Sequence, residues 1–465
     1  MHLALKPAQR RMALLPLIAA TYFMVSGGPY GIEDILGGAG FAWAIVILLT
    51  LPLIWSLPTA LMIGELAAAI PAEGGFYVWV RRALGPFWGY QESWLSLTAS
   101  IFDMALYPSI FVLYLGKFSP ALTAGSRAYL WSLAVVVVCC AWNLRGAPRV
   151  GSDSVWLFAL LLAPFAVFVA LGFWRGLALH PAMHWTRPAI VPDAQAGPST
   201  SGLSTAILVA LWNYMGWDNA STIARDVENP QRNYPRAMIG AAILTAFTYV
   251  LPLAAMAFAG LSPEGFSTGS WATAAGALGG PLLSAAVVAG GLICGVGMFN
   301  ALMMSYTRLP IAMAADGMLP RVFLRRSRRG VPWVSLLVCG LAWALALNLP
   351  FERLISIDLV LYGTSLILEF AALIALRLRE PELARPFRAG NFAFACLLAV
   401  CPTALILFAL YASRSEKLGE PNTALANVSS LLFASVIALL GPLCYWLTAV
   451  PLARRNLTAE QPAPK

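Results

Sequence analysis

Apolar residues run along this chain in long stretches with few interruptions, not in the alternation of a half-buried strand. A helix that crosses a bilayer needs about 20 apolar residues. Twelve stretches meet or approach that length: Leu14–Gly38, Trp43–Ala68, Phe87–Leu115, Tyr129–Leu144, Ser154–Trp174, Leu203–Ile223, Met238–Ala259, Leu282–Tyr306, Val334–Leu349, Ile357–Leu376, Phe392–Tyr411 and Leu431–Val450. The fourth and ninth are the shortest. The pattern predicts an all-α membrane protein with 12 transmembrane helices in one domain over residues 1–465, since no polar segment is long enough to fold by itself. Lys6, Arg10 and Arg11 precede the first run as they would in a secretion signal. That run continues past the expected cleavage zone, so it is expected as an uncleaved first helix.

Two of these helices carry breaks. The first contains Ser26-Gly27-Gly28-Pro29-Tyr30-Gly31, and proline with clustered glycine interrupts the backbone ladder near mid-depth. The sixth contains Trp212-Asn213-Tyr214-Met215-Gly216-Trp217-Asp218-Asn219, too polar to face lipid. Gly and Pro are common in membrane helices anyway, so either break alone is a weak signal. Paired breaks in corresponding helices of two five-helix halves point to an inverted repeat with a midplane site. The halves are then residues 14–175 and 203–376, followed by two peripheral helices over 392–450. Gly74–Gly85 reads as a short interfacial helix. Its counterpart in the second half, Leu261–Gly276, falls on the opposite side, as inversion requires.

Composition agrees with a membrane setting and charge gives an orientation. The 465 residues are 60% hydrophobic and 11% charged, and mean hydropathy is +0.75; soluble domains carry about 25% charged residues. With the N-terminus in the cytoplasm, 23 of the 30 Lys and Arg residues fall inside and 7 outside. That bias matches the positive-inside rule and would vanish if one helix were missed. It puts both termini in the cytoplasm of a bacterial-type inner membrane. The net charge of +9 is then a property of cytoplasmic loops and does not call for nucleic acid. All seven cysteines lie in apolar stretches and read as small buried hydrophobes. His180 and His184 are four apart but have no third ligand, so no metal site is expected. The motifs of ATP binding and of zinc or serine hydrolysis are missing, which argues against an enzyme, and no cofactor is expected.

The candidate chemistry lies in the acids. Glu33 and Asp34 flank the first break, Glu65 lies on the second helix, and Glu92 and Asp103 lie on the third. Asp218 sits in the sixth-helix break, and Asp358 and Glu369 lie on the tenth. No Lys or Arg falls in the apolar core of a helix. Intramembrane carboxylates without internal bases must bind protons or meet an imported cation. Glu65 and Glu92, near helix ends, can equally reach the cytoplasmic interface, and Asp358 can equally cap the tenth helix. Asp103 and Tyr107 share a helix face at a spacing of four, and Glu369 follows Tyr362 by two turns. The tyrosines could equally belong to interfacial belts. A broken helix exposes amides suited to a substrate carboxylate and carbonyls suited to a cation.

The chain resembles the amino acid–polyamine–organocation superfamily, closest to its polyamine:proton symporter and amino acid permease branch. The resemblance rests on the first break through Glu33-Asp34, on Glu73-Gly74-Gly75-Phe76-Tyr77, on Asp103-Met104-Ala105-Leu106-Tyr107-Pro108, and on Trp217-Asp218-Asn219 followed by Val227-Glu228-Asn229-Pro230. Asp316-Gly317-Met318-Leu319-Pro320, Leu361-Tyr362-Gly363, Leu368-Glu369-Phe370 and Arg385-Pro386-Phe387 continue it. Arg225-Asp226 departs from the small-residue–acid pair expected there. The resemblance implies a leucine-transporter-type 5+5 inverted repeat with broken helices 1 and 6, working by alternating access. It also implies a substrate site between helices 1, 3, 6, 8 and 10.

The expected function is proton-coupled uptake of amino acids or polyamines by a multi-pass carrier that needs no obligate protein partner. The expected substrate-binding residues are Ser26, Gly27, Gly28, Tyr30, Gly31, Glu33, Asp103, Tyr107, Trp212, Tyr214, Trp217, Asp218 and Tyr362. Among them the aromatic faces can hold an ammonium. The proton-coupling candidates are Glu33, Asp103, Asp218 and Glu369. A transporter-fold sensor that binds amino acids without net flux is the alternative, disfavoured because no output domain is attached. A channel is disfavoured because paired breaks suit an occluded site.

Overall fold

An apolar segment in lipid must satisfy its own backbone groups, and the helix is the local solution. A computed structural model describes residues 11–179, 202–347, 349, 351–414 and 428–452; His180, His184 and the charges of both terminal segments lie outside these. In chain order the helices are α1 (Leu14–Val25), α2 (Glu33–Leu51), α3 (Leu57–Ala69), α4 (Phe76–Leu84), α5 (Pro86–Phe118), α6 (Pro120–Thr123), α7 (Arg127–Asn143) and α8 (Ala147–Leu179). They continue with α9 (Gly202–Asn213), α10 (Pro230–Phe258), α11 (Trp271–Tyr306), α12 (Arg308–Ala315), α13 (Trp333–Leu345), α14 (Phe351–Arg379), α15 (Phe392–Ser413) and α16 (Ser430–Cys444). Among the described residues there are no strands, only the isolated bridges Met12–Val227 and Glu73–Ile223.

Eight helical stretches are long and apolar enough to cross a membrane, while Leu14–Val25, Arg127–Asn143 and Trp333–Leu345 are apolar but shorter. The first of the eight, Glu33–Ala69, bends at Gly40 (φ 67°) and passes through a π-turn that opens at Pro52. The predicted first helix is therefore α1, an unwound link, and the first turns of α2. The tenth helix starts at Phe351, earlier than the predicted Ile357. Asp358 thus sits about two turns inside it and caps nothing.

Burial runs from the centre outward. In the apolar windows of α5 and α14, 67% of residues are buried, against 22% in α8 and 11% in the last helix. Trp156, Leu341 and Leu439 stand on the outside, each more than 70% exposed, as lipid-facing residues would. The buried polar residues lie inside, where α5 packs on α11 and α14, and α1 packs on α8 and α10.

The segment predicted as the loop Leu261–Gly276 is helical from Trp271 onward. It mirrors α4. Phe76–Leu84 ends at Gly85 (φ 100°) before Pro86, and Trp271–Gly279 ends at Gly280 (φ 72°) before Pro281. Each glycine takes a left-handed conformation that lets the chain turn sharply into a long proline-started helix. The approaches to these two helices also match. The Gly74 amide donates to Thr222 O (3.1 Å), beyond the break in the sixth helix. Gly269 and Thr268 donate to Glu33 Oε1 (3.1 Å) and Asp34 Oδ2 (2.7 Å), beyond the break in the first.

One end of the bundle is rich in arginine, and there the acids are paired. Glu73 meets Arg308 (2.7 Å), Arg326 (2.5 Å) and Arg225 (3.3 Å). Burial opposes its charge, but the Arg326 hydrogen bond and the Arg308 charge outweigh that and hold the Glu73 carboxyl below the usual carboxylate range. Asp226 pairs with Arg308 (2.6 Å) and Asp316 with Arg81 (3.1 Å). Arg225-Asp226, the departure from the family pattern, is thus absorbed into this network.

Glu65 is fully buried and has a base beside it: Arg377, near the end of α14, bonds to both Glu65 carboxylate oxygens. Arg377 also donates to Ala389 O (2.9 Å) and Asn391 O (2.6 Å), which fastens α3, α14 and the turn into α15. Glu65→Ala would leave Arg377 buried without a counter-charge, at a cost of about 3–5 kcal/mol. We expect a clearly lower unfolding temperature for this variant in detergent by intrinsic fluorescence; an unchanged melt would mean the pair does not stabilise the fold.

Candidate functional site

The two breaks meet near the middle of the bundle. α1 stops at Val25, and Ser26 turns the chain: its amide bonds Tyr22 O (2.6 Å) and its Oγ accepts from the Gly28 amide (3.1 Å). α9 stops at Asn213, and the chain resumes as a 3₁₀ helix over Trp217–Thr222. The Asn213 side-chain amide donates to Gly31 O (3.0 Å) and so joins the breaks. Gly216 (φ 87°) leaves no room for a side chain, since a Cβ there would stand 2.3 Å from Met24 O.

Unwound carbonyls buried away from water need donors, and aromatic residues supply them. Trp271 Nε1 donates to Pro29 O (2.7 Å). Trp55 and Trp217 both donate to Tyr214 O (2.9 and 2.8 Å), and Tyr249 to Asn213 O (2.7 Å).

Between the breaks lies a narrow cavity of about 10 Å³, room for about one water, lined by Met24, Val25, Asp103, Tyr107, Trp212, Asn213, Met215, Gly216, Met298, Tyr306 and Tyr362. Its walls come from α1, α5, α9 and the link after it, α11 and α14. Asp103 is its one acid. It accepts from Tyr107 OH (2.5 Å) and Tyr306 OH (3.3 Å), and the Trp212 side chain also hydrogen-bonds to it. The Tyr107 and Trp212 rings stack 6.3 Å apart at 25°. Just behind the wall, Tyr362 OH donates to Asp218 Oδ1 (2.6 Å) and accepts from the Gly216 amide (3.1 Å). Among the described residues, no Lys or Arg bridges to Asp103, Asp218, Asp358, Glu92 or Glu369, although every one of them is buried. The cavity can therefore accept N–H donors and stack a cation against aromatic faces.

The structure gathers Asp103, Tyr107, Trp212 and Tyr362 at the cavity, with Asp218 bonded to Tyr362. It does not bring Tyr30, Glu33, Tyr214 or Trp217 to its lining. Tyr30 OH donates to Val287 O (2.6 Å), and its ring packs edge-on against Tyr114 and Phe165. Glu33 starts α2 and is saturated by neutral donors: the Gly31 amide (2.6 Å), the Gly269 amide (3.1 Å) and Tyr114 OH (2.5 Å). Tyr214 OH donates to Leu48 O (2.9 Å). Ser26, Gly27, Gly28 and Gly31 shape the break without lining the cavity; a Cβ on Gly27 would collide with Cys294 Sγ at 2.2 Å. Glu369 lies two turns along α14 from Tyr362 and outside the lining. Tyr306, Met298, Met24 and Met215 were not singled out in the sequence. Met298 and Tyr306 share a face of α11, eight residues apart, but a methionine and a terminal tyrosine on an apolar helix give no local signal.

A cavity between two unwound helices, inside a many-helix apolar bundle, is the arrangement of a membrane carrier. The family model described as amino acid permease matches residues 18–441, so the chain belongs to the amino acid permease family. A probable polyamine transporter of Arabidopsis thaliana is 33% identical over 424 residues, covering 91% of this chain and 83% of that protein. A polyamine transporter of Oryza sativa subsp. japonica is 36% identical over 409 residues, covering 86% and 74%. A serine/threonine exchanger of Bacillus subtilis (strain 168) is 24% identical over 404 residues, covering 84% and 87%. The chain is a multi-pass membrane transporter, not an enzyme.

Two tyrosines separate cavity from scaffold. Tyr362→Phe removes a hydrogen bond to Asp218 and the acceptor of the Gly216 amide, and bonds to charged groups are worth about 1.5–3 kcal/mol. Substrate affinity, read from uptake competition, should fall about ten-fold or more, whereas Tyr30→Phe should change it less than about two-fold. Equal effects would remove the distinction.

Proposed function

We propose that this protein takes up polyamines by proton-coupled alternating access across a bacterial-type inner membrane, with both termini in the cytoplasm. The observation that carries the substrate reading is the electrostatics of the cavity. Asp103 lines it, Asp218 stands behind it, and among the described residues no cation is paired with either. A polyamine supplies the missing positive charge, and the Tyr107–Trp212 stack offers faces for its ammonium and methylene groups.

The amides of the first break favour an amine over an amino acid. A substrate carboxylate would use such amides, but the Gly28 amide is taken by Ser26 Oγ and the Gly31 amide by Glu33. The relatives named polyamine transporters agree with this reading. The serine/threonine exchanger supports a second one, in which an amino acid binds by its ammonium at Asp103.

The mechanism follows from the proposed architecture of twelve spans: a 5+5 inverted repeat over residues 14–175 and 203–376, with two peripheral helices over 392–450. Support comes from the two breaks and from the matched motifs in which nine-residue helices turn at Gly85-Pro86 and Gly280-Pro281. Each nine-residue helix is approached through contacts with the broken helix of the other half, so the halves are interlocked. Rocking one set against the other would open the cavity to each side in turn. The arginine-rich end, with Glu73, Asp226 and Arg308, is the cytoplasmic end in this arrangement.

Reconstituted protein in liposomes tests the proposal. We expect saturable uptake of labelled putrescine driven by an inward proton gradient, with spermidine competing strongly and leucine weakly. Asp103→Asn and Asp218→Asn should each lower uptake at least about ten-fold. Potent competition by leucine would replace the polyamine reading with the amino acid one. Binding without flux would make the protein a sensor.

A further inference from the structure

Glu92 and Glu369 are buried acids that the substrate cavity leaves unused. Both are fully buried. Neither carboxylate oxygen of Glu369 has a hydrogen-bond partner, and Glu92 has one partner, Ser96 Oγ (2.8 Å) to Oε1, with Oε2 unpartnered. They lie on α5 and α14, which pack together, and they are electrostatic neighbours of each other and of Asp218. The other end of the same helix pair carries Asp103 and Asp358, also mutual neighbours. On each helix the two acids are eleven residues apart. Eleven residues make about three turns, so each pair shares one face and spans roughly 16 Å along the axis. The two antiparallel helices therefore carry an acid rung at the cavity and a second rung toward the arginine-rich end, with Asp218 neighbouring both.

Among the described residues, no counter-charge is paired with the second rung. α4 brings Tyr77, whose hydroxyl donates to Asp316 (2.7 Å), and Arg81, paired with Asp316 (3.1 Å). Of the arginines on α14, Arg377 pairs with Glu65 on α3, Arg379 donates to Ala83 O, and Arg353 stands at the opposite end of the helix. Tyr362 on α14 donates to Asp218. α9, α13, α15 and α16 carry no Asp, Glu, Lys, Arg or His. Two neighbouring buried carboxylates without a cation cannot both stay charged. Neither residue lines the cavity, so an amine has no room beside them. A proton needs none.

We propose that Glu92 and Glu369 together hold the coupling proton, at a site separate from the substrate cavity, and that Asp218 links the two. The linkage runs from the second rung to Asp218, through Tyr362, to the Gly216 amide in the cavity wall. An ammonium that draws Asp218 or Tyr362 toward the cavity changes the field on the Glu92–Glu369 pair. The proton enters the pair from one side of the membrane and leaves to the other when the carrier reorients. Substrate and proton thereby cross together without sharing a carboxylate. This inference rests on the proton-coupled reading above.

The test uses full-length protein in liposomes and two readouts: putrescine accumulation driven by a proton gradient, and putrescine/putrescine counterflow with no gradient. Glu369→Gln and Glu92→Gln imitate the protonated side chain and are expected to purify as monodisperse protein. For each, gradient-driven accumulation should fall at least about ten-fold, and putrescine-induced proton uptake should disappear, while counterflow stays within about two-fold of wild type. Glu369→Asp, which keeps the titrating group, should recover part of the accumulation. Retained accumulation with unchanged proton uptake in both Gln variants overturns the proposal, as does loss of counterflow in well-folded Gln variants. If wild type itself shows counterflow but no response to the proton gradient, the coupling reading fails and this proposal falls with it.

Discussion

A carboxylate taken out of water must find a counter-charge, a set of donors or a proton, and the first two solutions are visible in different places of this protein. At the arginine-rich end Glu65, Glu73, Asp226 and Asp316 each meet arginine. At the first break Glu33 is held by two amides and a tyrosine. In the centre, among the described residues, Asp103 and Asp218 have tyrosine donors but no cation, and Glu369 has no hydrogen-bond partner. Among the described residues, the bases pair with other acids and none with those of the centre. On the proposed reading, these acids select for positive charge.

The backbone obeys the same constraint. Unwinding two helices strands carbonyl and amide groups in a medium without water. Trp55, Trp217, Trp271 and Tyr249 close off the carbonyls, while Ser26 and Glu33 take amides. The breaks are thus finished structures, and the cavity between them is narrow, with Tyr107, Trp212, Tyr306 and Tyr362 in its wall. This explains why so many of the break residues serve scaffold and few touch the cavity.

Much of this was legible in the chain. The long apolar runs gave the helices, and Pro29 with its glycines and the polar stretch at Trp212–Asn219 gave the breaks. The one-signed charge at Asp103 and Asp218 gave the character of the centre. Direction was harder to read. Tyr30 and Tyr214 stand in the right segments but point away, because local unwinding resets the facing that helical periodicity would assign. Glu65 looked like the other acids, since its partner Arg377 lies 312 positions along the chain. Tyr306 and Met298 could not be found without knowing that α11 packs against α5.

The central claim is that uncompensated carboxylates in the cavity receive a cationic substrate. An experimental structure of the protein with putrescine bound tests it most directly. The account predicts an ammonium within about 3 Å of an Asp103 oxygen, with the methylene chain against Trp212 and Tyr107 and the Tyr362–Asp218 pair at its other side. Putrescine bound elsewhere, with Asp103 still bonded only to Tyr107, Tyr306 and Trp212, would contradict it.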